Sequence, residues 1–132
     1  MKTLAAFVIL TAAAASAQSL DFATFRAKVE PIFLKKRPTH ARCIVCHEGQ
    51  RTAFRLAELP EGQAAYTEAQ SRQNFANIVR VINLKDVLTS PLLKHPLAET
   101  AGGDDFHSGG RQFASRDDPD WKTIADWIRA AK

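Results

Sequence analysis

Two cysteines and a histidine occur at a spacing that could attach and ligate an iron-containing group. The chain has only two cysteines, and both lie in residues 43–47, which read Cys-Ile-Val-Cys-His. In this order the thiols of Cys43 and Cys46 can add to the vinyl groups of one haem, while His47 ligates the iron from the proximal side. The segment therefore predicts one covalently attached haem c, bound by Cys43, Cys46 and His47.

Two other chemistries also use closely spaced cysteines. A thioredoxin-like redox pair would follow a strand and precede a helix in a mixed fold, and the chain has no strand pattern that would supply the sheet. A structural zinc ion would need two further ligands at a suitable spacing. The remaining histidines, His40, His95 and His107, are not paired in this way. We therefore favour haem attachment over both alternatives.

The second ring nitrogen of His47 needs a partner of its own. A histidine that binds iron does so through a neutral ring nitrogen, and its other nitrogen commonly donates to a carbonyl that sets the ring orientation. A backbone carbonyl near Pro60 is our candidate for this acceptor. A plain turn in residues 59–62, which read Leu-Pro-Glu-Gly, is the alternative interpretation of that proline.

The first 17 residues have the pattern of a cleaved secretory signal. A single charge, on Lys2, precedes the apolar residues 4–15, and residues 15–17 read Ala-Ser-Ala, the small-x-small pattern of a signal-peptidase site. The apolar run is too short to span a bilayer, and no later stretch approaches the necessary length. We therefore predict cleavage after Ala17 and a periplasmic domain of residues 18–132 without a transmembrane segment. An uncleaved anchor is the alternative.

The sixth iron ligand cannot be methionine in such a mature chain, because Met1 is the only methionine. The position then falls to histidine, to a weaker donor, or stays open. His107 is the first candidate, since it lies in the glycine-rich residues 102–110, where the backbone could approach a haem closely. His95 is the alternative distal ligand. His40, next to the attachment segment, is poorly placed to reach the opposite face.

Length and composition indicate one small domain. The chain has 132 residues, 45% of them hydrophobic, and a formal net charge of +4, which rules out most large catalytic architectures. A nucleic-acid partner is also improbable, because the net charge is modest and export would separate the protein from nucleic acid.

Apolar spacing predicts a helix at the beginning of the mature chain. Phe22, Phe25, Val29 and Phe33 recur at intervals that place them on one helical face. Pro31 should kink or restart this helix, because proline lacks the backbone N–H that the preceding turn would use.

Two later helices are marked by capping patterns. Residues 67–70, Thr-Glu-Ala-Gln, form a capping box, and residues 118–120, Asp-Pro-Asp, combine an N-cap residue with proline at the first helical position. The apolar residues expected on one face of the earlier helix are Phe75, Ile78, Val79 and Ile82. Those of the later helix are Trp121, Ile124, Ala125 and Ile128.

This order of elements resembles the class I c-type cytochromes, and more closely the planctomycete-type single-haem cytochrome c domains. The motifs that carry the resemblance are residues 43–47, Ser-Pro-Leu-Leu at 90–93 and Trp-Ile at 127–128. In that family a methionine loop precedes the closing Trp-Ile, and here His107 takes its place. The resemblance implies an all-α, cytochrome c-like fold, with the N- and C-terminal helices packed across each other around one covalently bound haem.

These interpretations favour an electron carrier over an enzyme. We predict a mono-haem cytochrome with bis-histidine iron that exchanges single electrons with periplasmic redox proteins as donor and acceptor. A haem-based ligand sensor or weak peroxidase with an open or displaceable sixth site is the alternative. A further alternative is a small cytochrome subunit of a larger oxidoreductase.

The charges are unevenly distributed along the chain. Residues 26–55 contain eight Lys and Arg against two acids, whereas residues 99–126 contain seven acids against three bases. Such asymmetry can orient an encounter between redox proteins. A solvated surface with no specific partner explains it equally well. Arg42, Arg51 and Arg55 are candidates for pairing with haem propionates.

Overall fold

The computed structural model describes residues 19–49 and 52–132. The predicted signal segment, residues 1–17, lies outside the described residues. In the described part, helices alternate with loops, and the only β-type pairings are two isolated bridges, Glu48 with Leu56 and Leu97 with Phe113. The expected all-α class is therefore confirmed for the part of the chain that is described.

The first helix, α1, changes its winding along its length. Its three consecutive parts are the α-helical Phe22–Thr24, the π-helical Phe25–Val29 and the α-helical Glu30–Leu34. The carboxylate of Asp21 caps its beginning by accepting a hydrogen bond from the Thr24 amide at 2.6 Å. Pro31 lies in the first turn of the last part. A π-helical stretch directly before proline is a recognised way to accommodate it, so the predicted restart at Pro31 takes this form.

The remaining helices are short and are joined by loops with single 3₁₀ turns. The α-helices are α2 (Cys43–His47), α3 (Glu68–Ile78), α4 (Pro91–Lys94) and α5 (Pro119–Arg129). The 3₁₀ turns are Val79–Val81, Val87–Thr89 and Glu99–Ala101.

The capping box before α3 forms as predicted, but the predicted apolar face is too long. The Thr67 side chain accepts from the Gln70 amide at 3.3 Å, and the Gln70 side chain accepts from the Thr67 amide at 2.9 Å. Ile78 is buried, yet the α-helix ends there and the chain tightens into a 3₁₀ turn. Val79 is consequently 41% exposed. The prediction that Val79 and Ile82 share the face of this helix is therefore wrong.

The predicted cap and apolar face of α5 are both confirmed. The Asp118 carboxylate accepts hydrogen bonds from the backbone amides of Asp120 at 2.9 Å and Trp121 at 3.3 Å. The buried residues of this helix are Trp121, Ile124, Ala125, Trp127 and Ile128. Asp118 therefore fixes where the helix begins, and its apolar face fixes which side enters the core.

The core joins α1 to α5. The ring centres of Phe25 in α1 and Trp127 in α5 are 5.4 Å apart, and the Trp127 indole N–H donates to the Asp21 carbonyl at 2.9 Å. The Trp121 indole donates to the Leu93 carbonyl at 3.1 Å. Both tryptophans are thus core residues with their polar nitrogens bonded. The first and last helices of the described residues, α1 and α5, therefore pack against each other.

None of the helices in the described residues is both long enough and apolar enough to cross a membrane.

Candidate functional site

Residues 43–47, the predicted attachment segment, form the short helix α2, and the chain folds back directly after it. Cys43 and His47 are partly buried, whereas Cys46 is exposed. The Leu56 amide donates to the His47 carbonyl at 2.8 Å, and the Gly49 amide donates to the Leu56 carbonyl at 3.1 Å. Gly49 has φ of +83°, a conformation that favours glycine. The turn brings the residues before Leu56 alongside the ring of His47.

The ring of His47 is held by residues of this returning segment. Its Nδ1–H donates to the Phe54 carbonyl at 3.0 Å, with the Thr52 hydroxyl oxygen 2.9 Å from the same nitrogen. The Thr52 hydroxyl also donates to the Phe54 carbonyl. The Phe54 ring lies 4.6 Å from the His47 ring, centre to centre. The remaining ring nitrogen, Nε2, has no hydrogen-bond partner among the described residues.

The prediction of a carbonyl near Pro60 as the acceptor for His47 is therefore wrong. The Pro60 carbonyl instead accepts from the Gln63 amide at 3.0 Å, which is the hydrogen bond of a plain turn. The backbone pairing at Leu56 returns the chain too early for Pro60 to reach the ring. The Phe54 carbonyl is the acceptor for His47 instead.

The electrostatic surroundings of His47 favour the neutral imidazole. Burial lowers the pKa of His47 below its ordinary value, and the neighbouring His107 lowers it further, although the hydrogen bond to Phe54 acts in the opposite direction. A neutral ring with a bonded Nδ1 and a free Nε2 is the form in which histidine ligates a metal.

His107 lies opposite His47 in the same cavity. The two ring centres are 6.0 Å apart, and the ring planes differ by 18°. His107 Nδ1 is hydrogen-bonded to the Gly110 carbonyl, and Arg111 donates to the His107 carbonyl at 2.8 Å. Gly110 has φ of +88°, which makes this turn readily accessible. The loop thereby leaves His107 Nε2 without a hydrogen-bond partner among the described residues, as in His47.

The glycines of the distal loop act differently from the expectation. Only Gly109 borders the cavity. Gly103 instead packs against the backbone of Leu97, where a Cβ atom would lie 1.9 Å from the carbonyl oxygen. The close backbone approach that this glycine permits is to the chain itself, because the Gly103 amide donates to the Ala98 carbonyl at 3.0 Å.

His95 borders the cavity but is engaged with a carboxylate. Its Nδ1 lies 2.9 Å from both carboxylate oxygens of Asp104, and its ring centre is 5.8 Å from that of Phe106. Burial raises the pKa of Asp104, but the hydrogen bonds from His95 and the Phe106 amide outweigh it, so the pKa lies below its ordinary value. The fourth histidine, His40, does not line the cavity and bonds the Pro38 carbonyl through Nδ1 at 2.9 Å.

The cavity brings together all five predicted site residues. It encloses about 610 Å³, within the range of about 300–1,000 Å³ that is usual for cofactor sites. The predicted residues on its wall are Cys43, Cys46, His47, His95 and His107. Its apolar lining includes Ile32, Phe33, Val81, Leu92, Phe113 and Ile124. Two thiols and three imidazoles therefore border one cavity with a largely apolar wall.

Two arginines border the cavity, and sequence reasoning identified only one of them. Arg42 and Arg80 both line it, and neither has an ion pair or hydrogen bond among residues 19–49 and 52–132. Arg55 donates to the Thr52 carbonyl at 2.8 Å and does not border the cavity, and Arg51 lies outside the described residues. Arg80 lies in the 3₁₀ turn Val79–Val81, two residues after the buried end of α3 at Ile78.

The charge asymmetry seen in the sequence is partly neutralised within the fold. Arg37 pairs with both Asp118 at 2.9 Å and Asp120 at 2.5 Å, and Lys35 pairs with Asp120 at 2.8 Å. Basic residues before the attachment segment and acids at the start of α5 therefore bind one another.

The surroundings of Cys43 disfavour exchange chemistry between thiols and disulfides. Burial raises the pKa of Cys43 to about 11, so the thiol is protonated at neutral pH. A redox-active cysteine pair depends instead on a thiol whose pKa is lowered.

The described residues also contain no grouping of three or more His, Cys, Asp or Glu side chains arranged to hold a metal ion. Comparison with known protein families, with curated proteins and with solved structures finds no match to this chain.

Proposed function

We propose that this chain is a mono-haem c-type cytochrome that carries one electron at a time. The observation that carries the proposal is the pair of parallel imidazoles, His47 and His107, 6.0 Å apart in a cavity that Cys43 and Cys46 also border. Two imidazoles whose Nε2 atoms both point at one metal ion, each at about 2 Å, have ring centres about 6 Å apart, and the ring centres of His47 and His107 have that separation.

The donor set suits a covalently held haem c with histidine on both faces. Cys43 and Cys46 supply the two thiols, and His47 and His107 each have Nδ1 bound to a backbone carbonyl with Nε2 free. When bound, the haem supplies one-electron redox chemistry at its iron. The chain would orient the two imidazoles and surround the group with the apolar side chains that line the cavity. Arg42 and Arg80, which line the cavity, would be available to bind its carboxylates.

One edge of the cavity is accessible from solvent, as an electron carrier requires. Phe106 on the cavity wall is 79% exposed. Val45, between the two cysteines that line the cavity, is 63% exposed but does not itself line it. A redox partner could approach this edge without entering the cavity. The secretory signal pattern supports a periplasmic location, with redox proteins as donor and acceptor or a larger oxidoreductase as the host of a cytochrome subunit.

One observation favours a second candidate, a ligand sensor or weak peroxidase. His95 borders the same cavity, and Asp104 binds its Nδ1 as a carboxylate binds the imidazole of a general base. If His107 were displaced, His95 would be able to exchange a proton with a ligand bound in its place. This candidate requires a sixth position that opens easily.

Optical and electron paramagnetic resonance spectra of the haem-loaded mature protein separate the two candidates. The electron carrier should be low-spin, should lack the charge-transfer band of methionine ligation and should be indifferent to carbon monoxide. His107→Ala should convert it to a high-spin form that binds carbon monoxide, whereas the control His40→Ala, outside the cavity, should not. A wild-type protein that readily binds carbon monoxide would support the second candidate, and absence of covalent haem would refute both.

A further inference from the structure

A carboxyl group is buried in the core near the cavity. Glu30 is only 4% exposed, and its two oxygens accept hydrogen bonds from the Ser71 hydroxyl at 2.6 Å and the Asn74 side-chain amide at 2.9 Å. Ser71 and Asn74 are themselves fully buried. Burial of such a group costs stability unless its hydrogen bonds are satisfied. Both carboxyl oxygens of Glu30 have such a partner, so the group is held in the core by two polar side chains of α3.

The cluster is connected to the segment that returns from the attachment helix. The Asn74 side-chain oxygen accepts from the backbone amide of Ala57 at 2.6 Å, and Ala57 is 6% exposed. The adjacent Leu56 exchanges backbone hydrogen bonds with the turn, donating to the His47 carbonyl and accepting from Gly49. The Asn74 side chain thus connects the two residues: its nitrogen donates to Glu30 and its oxygen accepts from Ala57.

The same helix also holds the other end of this segment. Phe33, one turn after Glu30 in α1, packs against Phe54 with ring centres 5.0 Å apart. The Phe54 carbonyl is the acceptor for His47 Nδ1. Residues 54–57 are thus attached to α1 at both ends, through Phe33 at one end and through Glu30 and Asn74 at the other.

We propose that Glu30 is a positioning residue for the proximal ligand, His47. Through Asn74 and Ala57, Glu30 fixes the position of the Phe54 carbonyl. The position of this carbonyl determines the orientation of the His47 ring and the strength of the hydrogen bond from its Nδ1–H. This inference rests on the proposed haem function. The partner of a ligating imidazole affects ligand basicity and ring orientation, and both affect the electronic state of the iron.

Three variants of the holoprotein test the connection. Glu30→Leu removes the acceptors, Glu30→Gln retains an oxygen acceptor and similar size, and the control Ser71→Ala removes one donor while leaving the Asn74–Ala57 contact. Each is measured by its haem content, by the g-values of its ferric electron paramagnetic resonance spectrum, and by amide hydrogen exchange at Ala57. The g-values report the ligand field at the iron, which a merely structural role of Glu30 would leave unchanged.

We expect Glu30→Leu to shift the g-values and to accelerate exchange at Ala57 about tenfold, the change that corresponds to loss of one hydrogen bond of typical net strength. Glu30→Gln and Ser71→Ala should remain close to wild type in both. If Glu30→Leu does not accumulate, Glu30→Asp replaces it. Shortening the side chain by one methylene moves the carboxyl away from its partners, so the g-values and the exchange rate at Ala57 should change in the same direction by a smaller amount.

Two failures can be told apart. Absence of covalent haem from the wild-type protein would overturn the proposed function. Wild-type g-values and Ala57 exchange in a haem-loaded Glu30→Leu or Glu30→Asp protein would overturn only the positioning role of Glu30. A g-value shift in Ser71→Ala equal to that in Glu30→Leu would also overturn it, since the contact with Ala57 is then not the route.

Discussion

Replacement of Asp118 by alanine should remove two stabilising interactions at once. The Asp118 carboxylate caps α5 through the amides of Asp120 and Trp121, and it also binds the Arg37 guanidinium through two hydrogen bonds of 2.9 and 3.0 Å. Arg37 precedes the attachment segment, so this ion pair attaches the start of the last helix to the residues that lead into α2. Both partners are less than one-fifth exposed.

The expected loss in free energy of unfolding for Asp118→Ala is about 3 kcal/mol. Loss of an N-cap carboxylate costs about 1 kcal/mol. Loss of charge-assisted hydrogen bonds of this kind costs about 1.5–3 kcal/mol, and the lower half of that range applies because Arg37 retains its contact with Asp120. Asp118→Asn separates the two contributions, since asparagine is also a good N-cap. It should lose only the ion-pair part, about 2 kcal/mol.

Urea unfolding of the haem-loaded protein at pH 7, followed by far-ultraviolet circular dichroism, measures these differences. Asp117→Ala is the matched control, because the adjacent Asp117 is 89% exposed and pairs only with the exposed Lys122. Its effect should stay within about 0.5 kcal/mol. A loss below about 1 kcal/mol in Asp118→Ala with an unchanged denaturant slope would refute the reasoning.

The ion-pair contribution should depend on pH in a defined direction. Partial burial raises the pKa of Asp118, but the hydrogen bonds from Arg37 and two backbone amides outweigh it, so the pKa lies below its ordinary value of 3.8. A carboxyl whose pKa is lowered by folding stabilises the protein fully above 3.8 and loses that contribution as pH falls through the folded value. Wild type and Asp118→Asn should therefore converge in stability below pH 3.8, and a constant difference would contradict the assignment.

Two further outcomes follow from the site. Replacing both Cys43 and Cys46 by serine should abolish covalent haem attachment and most of the stability, because the helices would close over an empty cavity. A cooperative thermal transition with the same midpoint as in the wild-type protein would contradict this. His95→Ala should leave the iron low-spin, since His107 is the residue that faces His47. A high-spin spectrum in His95→Ala but not in His107→Ala would show that His95, and not His107, is the distal ligand.

The features that the sequence predicted correctly are local. The capping box of Thr67 and Gln70 and the cap at Asp118 each depend on residues within three positions of one another. The burial of α5 follows from apolar residues at helical spacing. Relations of this length are present in the chain before any long-range contact forms, so pattern and structure agree.

Two predictions were wrong because the chain changes direction sooner than the local pattern suggests. Val79 continues the apolar period of α3, but the chain tightens after Ile78 and leaves Val79 exposed. Pro60 was the candidate acceptor for His47, but the bridge between Glu48 and Leu56 brings the Phe54 carbonyl there first. Neither outcome could be predicted from residues that are neighbours in the sequence.

The sequence by itself determined the helical class and the residue types available for chemistry, because helical periodicity, capping and the spacing of Cys43, Cys46 and His47 are all short-range properties. Only the tertiary structure decided which histidine faces His47, which carbonyl holds it and how the carboxyl of Glu30 is connected to it. Those contacts join residues between 7 and 60 positions apart, and they arise when apolar burial brings α1, α3 and the distal loop together.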